Sequence, residues 1–195
     1  PERTVLDTFA APQVFGSLQM GLETLEAQVE SLAVPVEFES ASWEDYEDTF
    51  VAWLQEAREA GIEVGVFGDI DIEEHREWEQ MVCEKAGMKA HLPLGGEPHD
   101  AVVAEFLEVG FEAIIVTVDL ERGPEKLLGQ TFESECVAEL QALGIDPSAE
   151  AGEFHTLVVD GPVFDQRIEY TEGNIEHVSH YGVLEILPDA RGSSS

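Results

Sequence analysis

The 195-residue chain contains 42 aspartates and glutamates against 9 lysines and arginines, which gives a formal net charge of −33. So acidic a surface argues against a nucleic-acid partner, because phosphates are bound by basic side chains that neutralise them. No apolar run approaches the ~20 residues of a membrane span, and no secretory signal is recognisable, so we expect a cytoplasmic protein. Because the acids are spread through every segment, we also expect adaptation to molar salt, which screens the repulsion between them.

The first half of the chain alternates helical and extended patterns. Apolar residues at helical spacing, beginning with Leu18 and Leu22, predict an amphipathic first helix. The predicted elements are a helix at 17–33, a strand at 35–38, a helix from a Ser42 cap to Gly61, a strand at 63–67, a helix from an Asp71 cap to Gly87, and a strand at 89–93. This alternation favours an α/β fold over residues 1–95, with a parallel sheet and helices on both faces.

The pattern changes after Pro93-Leu-Gly-Gly96, and we place a domain boundary near residue 95. The remaining elements are predicted as a helix at 97–109, a strand at 113–118, a helix at 133–143, and strands at 154–160, 163–170 and 174–187. The turns between the last three strands are assigned to Asp160-Gly-Pro162 and Glu172-Gly-Asn174. We therefore expect a smaller α+β domain over residues 96–190 and a disordered tail at 191–195.

One candidate site directly follows the second predicted strand. Ligands of α/β sheets bind beyond the carboxyl ends of the strands, and Gly68 and Asp69 lie at that position. Gly68 lets a ligand approach the backbone closely, and Asp69 is suited to a metal or a ribose hydroxyl. Asp71 is assigned as the cap of the following helix. His75 shares a helix face with Trp78, so a half-buried histidine beside a core tryptophan is the alternative to a ligand-binding role.

A denser candidate site surrounds the strand predicted at 154–160. Glu150, Glu153 and His155 come together at its entrance, and strict alternation places Glu153 and His155 on one face. Gly152 and Gly161 permit tight turns beside them. A carboxylate next to an imidazole can orient it, hold Mg²⁺ or bind an ammonium group. A polar hairpin edge is the alternative.

These motifs resemble, in order and spacing, the diphthine–ammonia ligase (diphthamide synthase) branch of the PP-loop ATP pyrophosphatases. The resemblance covers about residues 17–190. It is carried by Val66-Phe-Gly-Asp-Ile70, His75-Arg-Glu-Trp78, Leu128-Gly129, Glu150-Ala-Gly-Glu-Phe-His-Thr156 and Asp160-Gly-Pro162. Similar proteins join an ATP-binding α/β domain of the HUP-like kind to a smaller C-terminal domain that takes up the substrate.

The resemblance implies an ATP-dependent amide ligase. Similar proteins activate the carboxylate of diphthine, a modified histidine of elongation factor 2, as an acyl-adenylate, and ammonium then yields diphthamide with release of AMP and pyrophosphate. The implied cofactors are ATP and Mg²⁺. The implied residues are catalytic Glu150, Glu153 and His155; substrate-binding Gly152, Thr156, Asp160 and Gly161; nucleotide-binding Gly68, Asp69, His75 and Gly129; and Asp69 as a Mg²⁺ ligand.

The chain departs from the family pattern at two positions that bear on nucleotide binding. The family opens with a Ser-Gly-Gly-Lys-Asp-Ser phosphate loop that does not occur in this sequence, and its Leu-Gly-Arg is Leu128-Gly129-Gln130. We therefore expect an N-terminally truncated form whose own activity is in doubt. The alternative is a catalytically degenerate paralogue that binds a nucleotide or a protein, and a metal hydrolase is a remote third reading. The oligomeric state stays open.

Overall fold

The computed structural model describes residues 6–10, 22–32, 36–42 and 44–189. Its elements, in chain order, are β1 (Leu6–Ala10), α1 (Leu22–Leu32), β2 (Val36–Ser40), α2 (Tyr46–Glu59), β3 (Val64–Val66), α3 (Glu73–Lys85), β4 (Lys89–His91), α4 (His99–Val109), β5 (Glu112–Asp119), a short 3₁₀ helix (Glu125–Leu127), α5 (Ser134–Leu143), β6 (Phe154–Asp160), β7 (Tyr170–Val178) and β8 (Tyr181–Pro188). None of the helices in these ranges is long and apolar enough to cross a membrane.

The first half forms parallel strand pairs, as its alternating pattern predicts. In the described residues β1 pairs with β2 and β3 pairs with β4, each in parallel, as two separate sheets. Helices α2 and α3 pack together through apolar stripes, with Leu54, Val82 and Cys83 at most 2% exposed. Gly61 follows α2 with a φ of 98° and Gly87 follows α3 with a φ of 72°, as expected for glycines that end helices. The predicted α/β character is confirmed.

The second half is an antiparallel sheet with strand order β6-β5-β8-β7. Its central strand β5 is the continuous apolar run that the sequence predicts, and its residues from Ala113 to Asp119 are all buried. Alternate residues of β5 point to two cores on opposite faces of the sheet. Ile115 lies in the core formed with Cys136 and Leu140 of α5, whereas Ile114 lies in the core formed with Leu184 of β8. The predicted α+β character is confirmed.

Helix α1 belongs to the first half of the chain but packs on the second sheet. The Thr24 hydroxyl donates to the Ile186 carbonyl at 3.0 Å, and the Gln28 amide donates to the Val158 carbonyl at 3.0 Å. The Asp165 N–H donates to the Ser31 carbonyl at 2.7 Å. One helix from the first half therefore covers a face of the second sheet, and the domain boundary near residue 95 stays a prediction.

The strands predicted at 163–170 and 174–187 are wrong in their bounds. Residues 161–169 form an irregular connection in which Ile168 is buried against the sheet and donates its N–H to the Val159 carbonyl at 2.8 Å. The second prediction spans two strands, β7 and β8. The non-glycine Ser179, with a φ of 58°, lies in the turn between them. The turn contains no glycine or proline, so the sequence pattern of this segment gives no sign that the chain reverses here.

The predicted turn at Glu172-Gly-Asn174 is instead an irregularity within β7. The pairing register of β7 with β8 shifts between Glu172 and Ile175, which is the signature of a bulge. A Cβ on Gly173 would lie 2.3 Å from the Glu185 carboxylate. Gly173 therefore lies beside the flexible Glu185 side chain within a strand and does not reverse the chain.

Candidate functional site

The two motif stretches meet where the two halves of the chain come into contact. The Glu150 carboxylate oxygen Oε1 accepts a hydrogen bond from the Ile70 N–H at 2.7 Å and a longer one from the Asp71 N–H at 3.3 Å. The Gly96 N–H donates to the Ile70 carbonyl at 2.8 Å, so the segment that joins the two halves is held at the same place. The turn after β3 is thus bound on both sides. The structure brings predicted catalytic Glu150 to the segment that contains predicted nucleotide-binding Asp69.

Behind this contact lies a carboxyl group that the sequence motifs do not include. Glu79 of α3 is 4% exposed. Its burial, its hydrogen bond with Asp69, and the charges of Asp69 and Glu150 raise its pKa to about 8. At neutral pH Glu79 is therefore a neutral acid that shares a proton with Asp69. Its second oxygen, Oε2, is buried and has no hydrogen-bond partner among the described residues.

Asp69 is held from its other side by His75. The His75 Nδ1 lies 2.7 Å from the Asp69 Oδ1, and both side chains are partly exposed. Gly68 beside them has open space around the position of a Cβ. Three of the four residues predicted to bind a nucleotide therefore lie together, at an exposed edge with room for a ligand.

His99 links the two halves through aspartates from both. Its Nδ1 contacts the Asp146 carboxylate and lies 3.0 Å from the Ser148 hydroxyl, while its Nε2 lies 3.1 Å from the Asp71 carboxylate. The hydrogen bond with Asp146, followed by the contact with Asp71, raises the pKa of His99. The prediction that Asp71 caps α3 is wrong: α3 begins at Glu73 without a side-chain cap. The Asp71 carboxylate lies instead beside His99, whose Nε2 is 3.1 Å away.

A cavity of about 310 Å³ opens beside the Glu150 contact. Its walls come from the turn after β3, helix α4, the segment before Glu150 and the start of β6. The lining residues are Ile70, Val102, Val103, Phe106, Phe132, Pro147, Ser148, Ala149, Phe154, His155 and Thr156. Burial lowers the pKa of His155, so its imidazole is neutral at neutral pH. Predicted catalytic His155 and predicted substrate-binding Thr156 therefore share one largely apolar pocket.

Glu153 has a different environment from Glu150. Its side chain is 16% exposed, and its Oε1 lies 3.9 Å from the Arg122 Nη1. Its other oxygen is buried and lacks a hydrogen-bond partner in the described part of the chain. Arg122 is shared, because it also lies 3.3 Å from the Asp119 carboxylate and donates to the Ala151 carbonyl at 2.7 Å. Glu153 is thus a carboxylate that is incompletely compensated by its surroundings.

Four of the predicted site glycines and acids have structural explanations that compete with a ligand role. The Asp160 carboxylate accepts the Gly161 N–H at 2.8 Å, and a Cβ on Gly161 would lie 2.2 Å from the Phe111 ring. Gly152 has a φ of 78° and Gly129 a φ of 79°. The Gly129 N–H donates to the β5 carbonyl of Ile115 at 2.9 Å. The ligand roles of these residues stay predictions.

The residues around Asp69 do not by themselves form a Mg²⁺ site. The described residues contain no cluster of three or more histidines, cysteines, aspartates or glutamates arranged to hold a metal ion. Asp69 is already engaged by His75 and Glu79. A Mg²⁺ at Asp69 would take its remaining ligands from phosphate oxygens and water, which is the usual situation for this ion in nucleotide sites. The protein side chains at Asp69 therefore fit a Mg²⁺ ion only when a bound nucleotide supplies further ligands.

Sequence reasoning missed four residues of this region: Glu79, His99, Asp146 and Ser148. A signal for Glu79 does exist, since it lies on the same helical stripe as Val82 and Cys83, where an apolar residue is expected. His99 gives no comparable signal, because its partners Asp71 and Asp146 lie 28 and 47 positions away in the sequence. Such a bridge is visible only in three dimensions.

The fold is that of a two-part α/β protein, in which parallel strand pairs are followed by an antiparallel sheet. Carboxylates and histidines gather where the two parts meet and form a polar site there. Residues 12–90 match the diphthamide synthase N-terminal domain, and residues 97–190 match the diphthamide synthase C-terminal domain. The chain belongs to the diphthamide synthase family.

A curated relative supports the same assignment. The diphthine–ammonia ligase of Schizosaccharomyces pombe is 30% identical to this chain over 103 residues. The match covers 50% of the chain and 17% of that protein. The chain therefore corresponds to a minor part of the length of this relative.

Proposed function

We propose that this protein is an ATP-dependent carbon–nitrogen ligase that converts diphthine on elongation factor 2 to diphthamide with ammonium. The reaction proceeds through an acyl-adenylate and releases AMP and pyrophosphate. The observation that carries the proposal is the contact of Glu150 with the backbone of Ile70 and Asp71, which joins the two family motif stretches into one site. The family matches over both halves of the chain support it. A cytoplasmic location belongs to the same proposal.

The roles of the residues follow from their environments. Glu150 holds the turn after β3 in place through two backbone N–H groups. His155, whose pKa is lowered by burial, is a neutral base at neutral pH and is suited to accept a proton from ammonium. The largely apolar cavity beside it excludes water, which would otherwise compete with ammonia for the activated carboxylate. Glu153 provides negative charge that attracts a cation.

The nucleotide would lie at the edge formed by Gly68, Asp69 and His75, where there is open space. ATP supplies the AMP leaving group that converts a poorly reactive carboxylate into an electrophile. The residues of this chain would contribute an open backbone approach at Gly68 and a carboxylate at Asp69, with Mg²⁺ completing its shell from phosphates and water.

A second candidate function is a degenerate nucleotide- or protein-binding paralogue. The observation that favours it is Gln130, which replaces the arginine of the family pattern. Its amide donates to the Glu139 carboxylate and to the Lys126 carbonyl, both at 3.2 Å. This side chain is therefore engaged within the chain itself and carries no charge for a phosphate.

The test is AMP formation by the protein, supplied with ATP, ammonium and elongation factor 2 that carries diphthine. We expect AMP to appear only when the modified factor is present. Production of ADP, or AMP formation that does not depend on diphthine, would contradict the ligase. Binding of the nucleotide without turnover would favour the degenerate paralogue.

In the same assay, Glu153→Gln should slow amide formation by roughly 30- to 150-fold, which corresponds to about 2–3 kcal/mol of lost transition-state stabilisation. The exchange preserves size and removes only the charge of a carboxylate that is poorly compensated. Asp160→Asn is the matched control, because Asp160 organises the turn at Gly161 and should affect stability more than activity. Full activity of Glu153→Gln would move the catalytic centre to Gly68 and Asp69.

A further inference from the structure

Helix α4 begins with a histidine, His99, at a position where acidic side chains are usual. The free N–H groups of a first helical turn create a positive potential that disfavours a further cation. His99 nevertheless lies between two carboxylates, with Asp146 beside one ring nitrogen and Asp71 beside the other. These aspartates belong to different halves of the chain. A histidine at this helix end is therefore explained by the two carboxylates that it joins.

The two contacts require a proton on both ring nitrogens. An ionised carboxylate only accepts hydrogen bonds, whereas a neutral imidazole has a proton on one nitrogen and a lone pair on the other. Nδ1 contacts the Asp146 carboxylate. Nε2 is buried and lies 3.1 Å from the Asp71 carboxylate, at ion-pair distance but without the alignment of a hydrogen bond. With a single proton, one carboxylate would face a lone pair and be repelled, so the arrangement fits the imidazolium form of His99.

On the Asp146 side, the contacts of the ring extend to the backbone of Glu150. The Asp146 Oδ1 accepts the Ser148 N–H at 2.9 Å, and the Ser148 hydroxyl lies 3.0 Å from the His99 Nδ1. The same hydroxyl accepts the Glu150 N–H at 3.4 Å. The segment from residue 146 to residue 150 is thus held on the first turn of α4 through His99.

On the Asp71 side, the ring holds the turn whose amides bind Glu150. Ile70 and Asp71 donate their N–H groups to the Glu150 Oε1 at 2.7 and 3.3 Å, and the Asp71 carboxylate faces the ring. The Asp71 side chain is 57% exposed, so water competes for it once the attraction of the ring is lost. Asp146 is less exposed, at 37%, and closer to the ring. Asp71 is therefore the partner that is released when His99 loses a proton.

The charged groups around His99 are acids. Asp146 is the main cause of the raised pKa of His99, burial opposes it, and Asp71 adds to it. On α4 itself, the neighbouring Asp100 carboxylate accepts the Ala101 N–H at 3.0 Å. Glu150 lies beyond Asp71, bound to the amides of the turn. Each of these carboxylates favours the imidazolium form.

We propose that His99, as an imidazolium, is a positioning residue that holds the turn after β3 against residues 146–150 and thereby keeps the Glu150 carboxylate on the amides of Ile70 and Asp71. When the imidazolium loses a proton, Asp71 is released and the turn loosens. The site is then ordered below the pH at which His99 titrates and relaxed above it. The positioning role rests on the contacts alone, whereas its effect on amide formation rests on the function proposed above.

NMR measures the ring and the turn separately, in a pH series at constant high salt. The His99 Cε1 proton reports the ionisation of the ring, and the protection factor of the Ile70 amide against hydrogen exchange reports the contact with Glu150. We expect this protection to fall about 2- to 5-fold as His99 loses its proton, as for the loss of one partly exposed ion pair. The amide of buried Leu140 is the reference for global unfolding. Ile70 protection that follows Leu140 without a step at the titration of His99 would overturn the proposal.

Two variants with the same change of charge locate the effect. Asp71→Asn keeps the backbone N–H that binds Glu150, and its amide can turn either a donor or an acceptor to the ring. His99 should therefore titrate at lower pH, and the step in Ile70 protection should disappear. Asp100→Asn is the control, because the Asp100 carboxylate binds within α4, and it should behave as the wild type does. A step retained in Asp71→Asn, or lost in Asp100→Asn, would contradict the assignment.

A third variant connects the ring to the reaction. His99→Gln removes the charge and should show, at every pH, the lower Ile70 protection that the wild type shows above the titration of His99. In the AMP assay, the ratio of the wild-type rate to the His99→Gln rate should exceed one below that pH and approach one above it. A ratio independent of pH would contradict the positioning role.

The NMR measurements need neither ATP nor elongation factor 2, so the two proposals can fail separately. A protection step at the titration of His99, without any AMP formation, would support the positioning role and refute the ligase. AMP formation that depends on diphthine, without a protection step, would support the ligase and refute the positioning role.

Discussion

At the scale of single residues, the most consequential group is one that the family motifs do not contain. Glu79 places a protonated carboxyl on the buried stripe of α3, within reach of Asp69 and under the influence of Glu150. A raised pKa means that the folded protein holds this proton more tightly than the unfolded chain does. Burial of Glu79 thus links the stability of the protein to the electrostatic state of the candidate site.

The sign of this linkage gives a prediction. The pKa of Glu79 is raised from an ordinary value of 4.5 to about 8, so between these two values the unfolded chain releases the proton while the folded protein keeps it. The free energy of unfolding should therefore fall as pH rises from 4.5 towards 8 and level off above. Glu79→Gln, which resembles the neutral acid, should remove this contribution and be more stable than the wild type near pH 8.

Urea unfolding in constant high salt at several pH values measures this difference. His99 also has a raised pKa, so it too lowers the free energy of unfolding as pH rises. This contribution is the same in the variant and in the wild type. The informative quantity is therefore the difference in slope between variant and wild type. Glu77→Gln, at an exposed position of the same helix, should leave the slope unchanged. Identical slopes for Glu79→Gln and the wild type would show that Glu79 ionises normally.

At the scale of secondary-structure elements, a glycine at the end of β6 has a packing role. A Cβ at Gly161 would lie 2.2 Å from Cδ1 and 2.7 Å from Cε1 of Phe111. The Phe111 ring in turn stacks on Phe106 of α4, with centroids 5.2 Å apart. The turn after β6 is therefore seated against the connection between α4 and β5, which explains a glycine at this position without a ligand.

Gly161→Ala should destabilise the protein by about 1–3 kcal/mol, because the ring cannot move without disturbing its stack. Combining it with Phe111→Leu should cost less than the sum of the two single changes, by about 1 kcal/mol or more. Gly68→Ala is the control, since Gly68 has no atom within 4 Å of the Cβ position. Thermal unfolding measures all four variants. Strictly additive losses would indicate that Gly161 is required for another reason.

At the scale of the whole molecule, the excess of carboxylates dominates. With 42 acidic and 9 basic residues, most carboxylates have no cation to pair with. Five of the basic residues that the structure describes form ion pairs with acids, among them the pairs Lys85–Glu47, Lys126–Glu139 and Arg167–Glu112. Self-repulsion among the remaining carboxylates opposes the compact state, and dissolved salt is the agent that weakens it.

We therefore expect the melting temperature to rise with salt. Circular dichroism melts from ~0.1 to ~3 M KCl cover Debye lengths from about 10 Å to under 3 Å, and the midpoint should increase through this range as repulsion is screened. A series in which sucrose replaces KCl serves as a control for general solvent exclusion. A midpoint independent of KCl would count against salt adaptation.

Much of the fold and part of the site are determined by the sequence itself. The helices α2 to α5, the parallel pairs, the buried run of β5 and the glycines that end helices all follow from patterns within single elements, since hydrophobic periodicity and turn chemistry are local. The two motif stretches around Asp69 and Glu150 are likewise visible in the chain. Local patterns gave wrong predictions at two places. The turn at Ser179 contains no glycine or proline to mark it, and Gly173 marks a bulge within β7 where a turn was predicted.

Only the tertiary structure decided which of these pieces meet. It placed α1 on the second sheet through Thr24 and Ile186, 162 positions apart, and Glu150 on Ile70, 80 positions apart. It also turned Asp71 away from its helix towards His99 and buried Glu79 behind Asp69. The physical reason is that a pKa, a buried contact or a cavity depends on the summed packing of several elements. No period or motif within one segment carries that information.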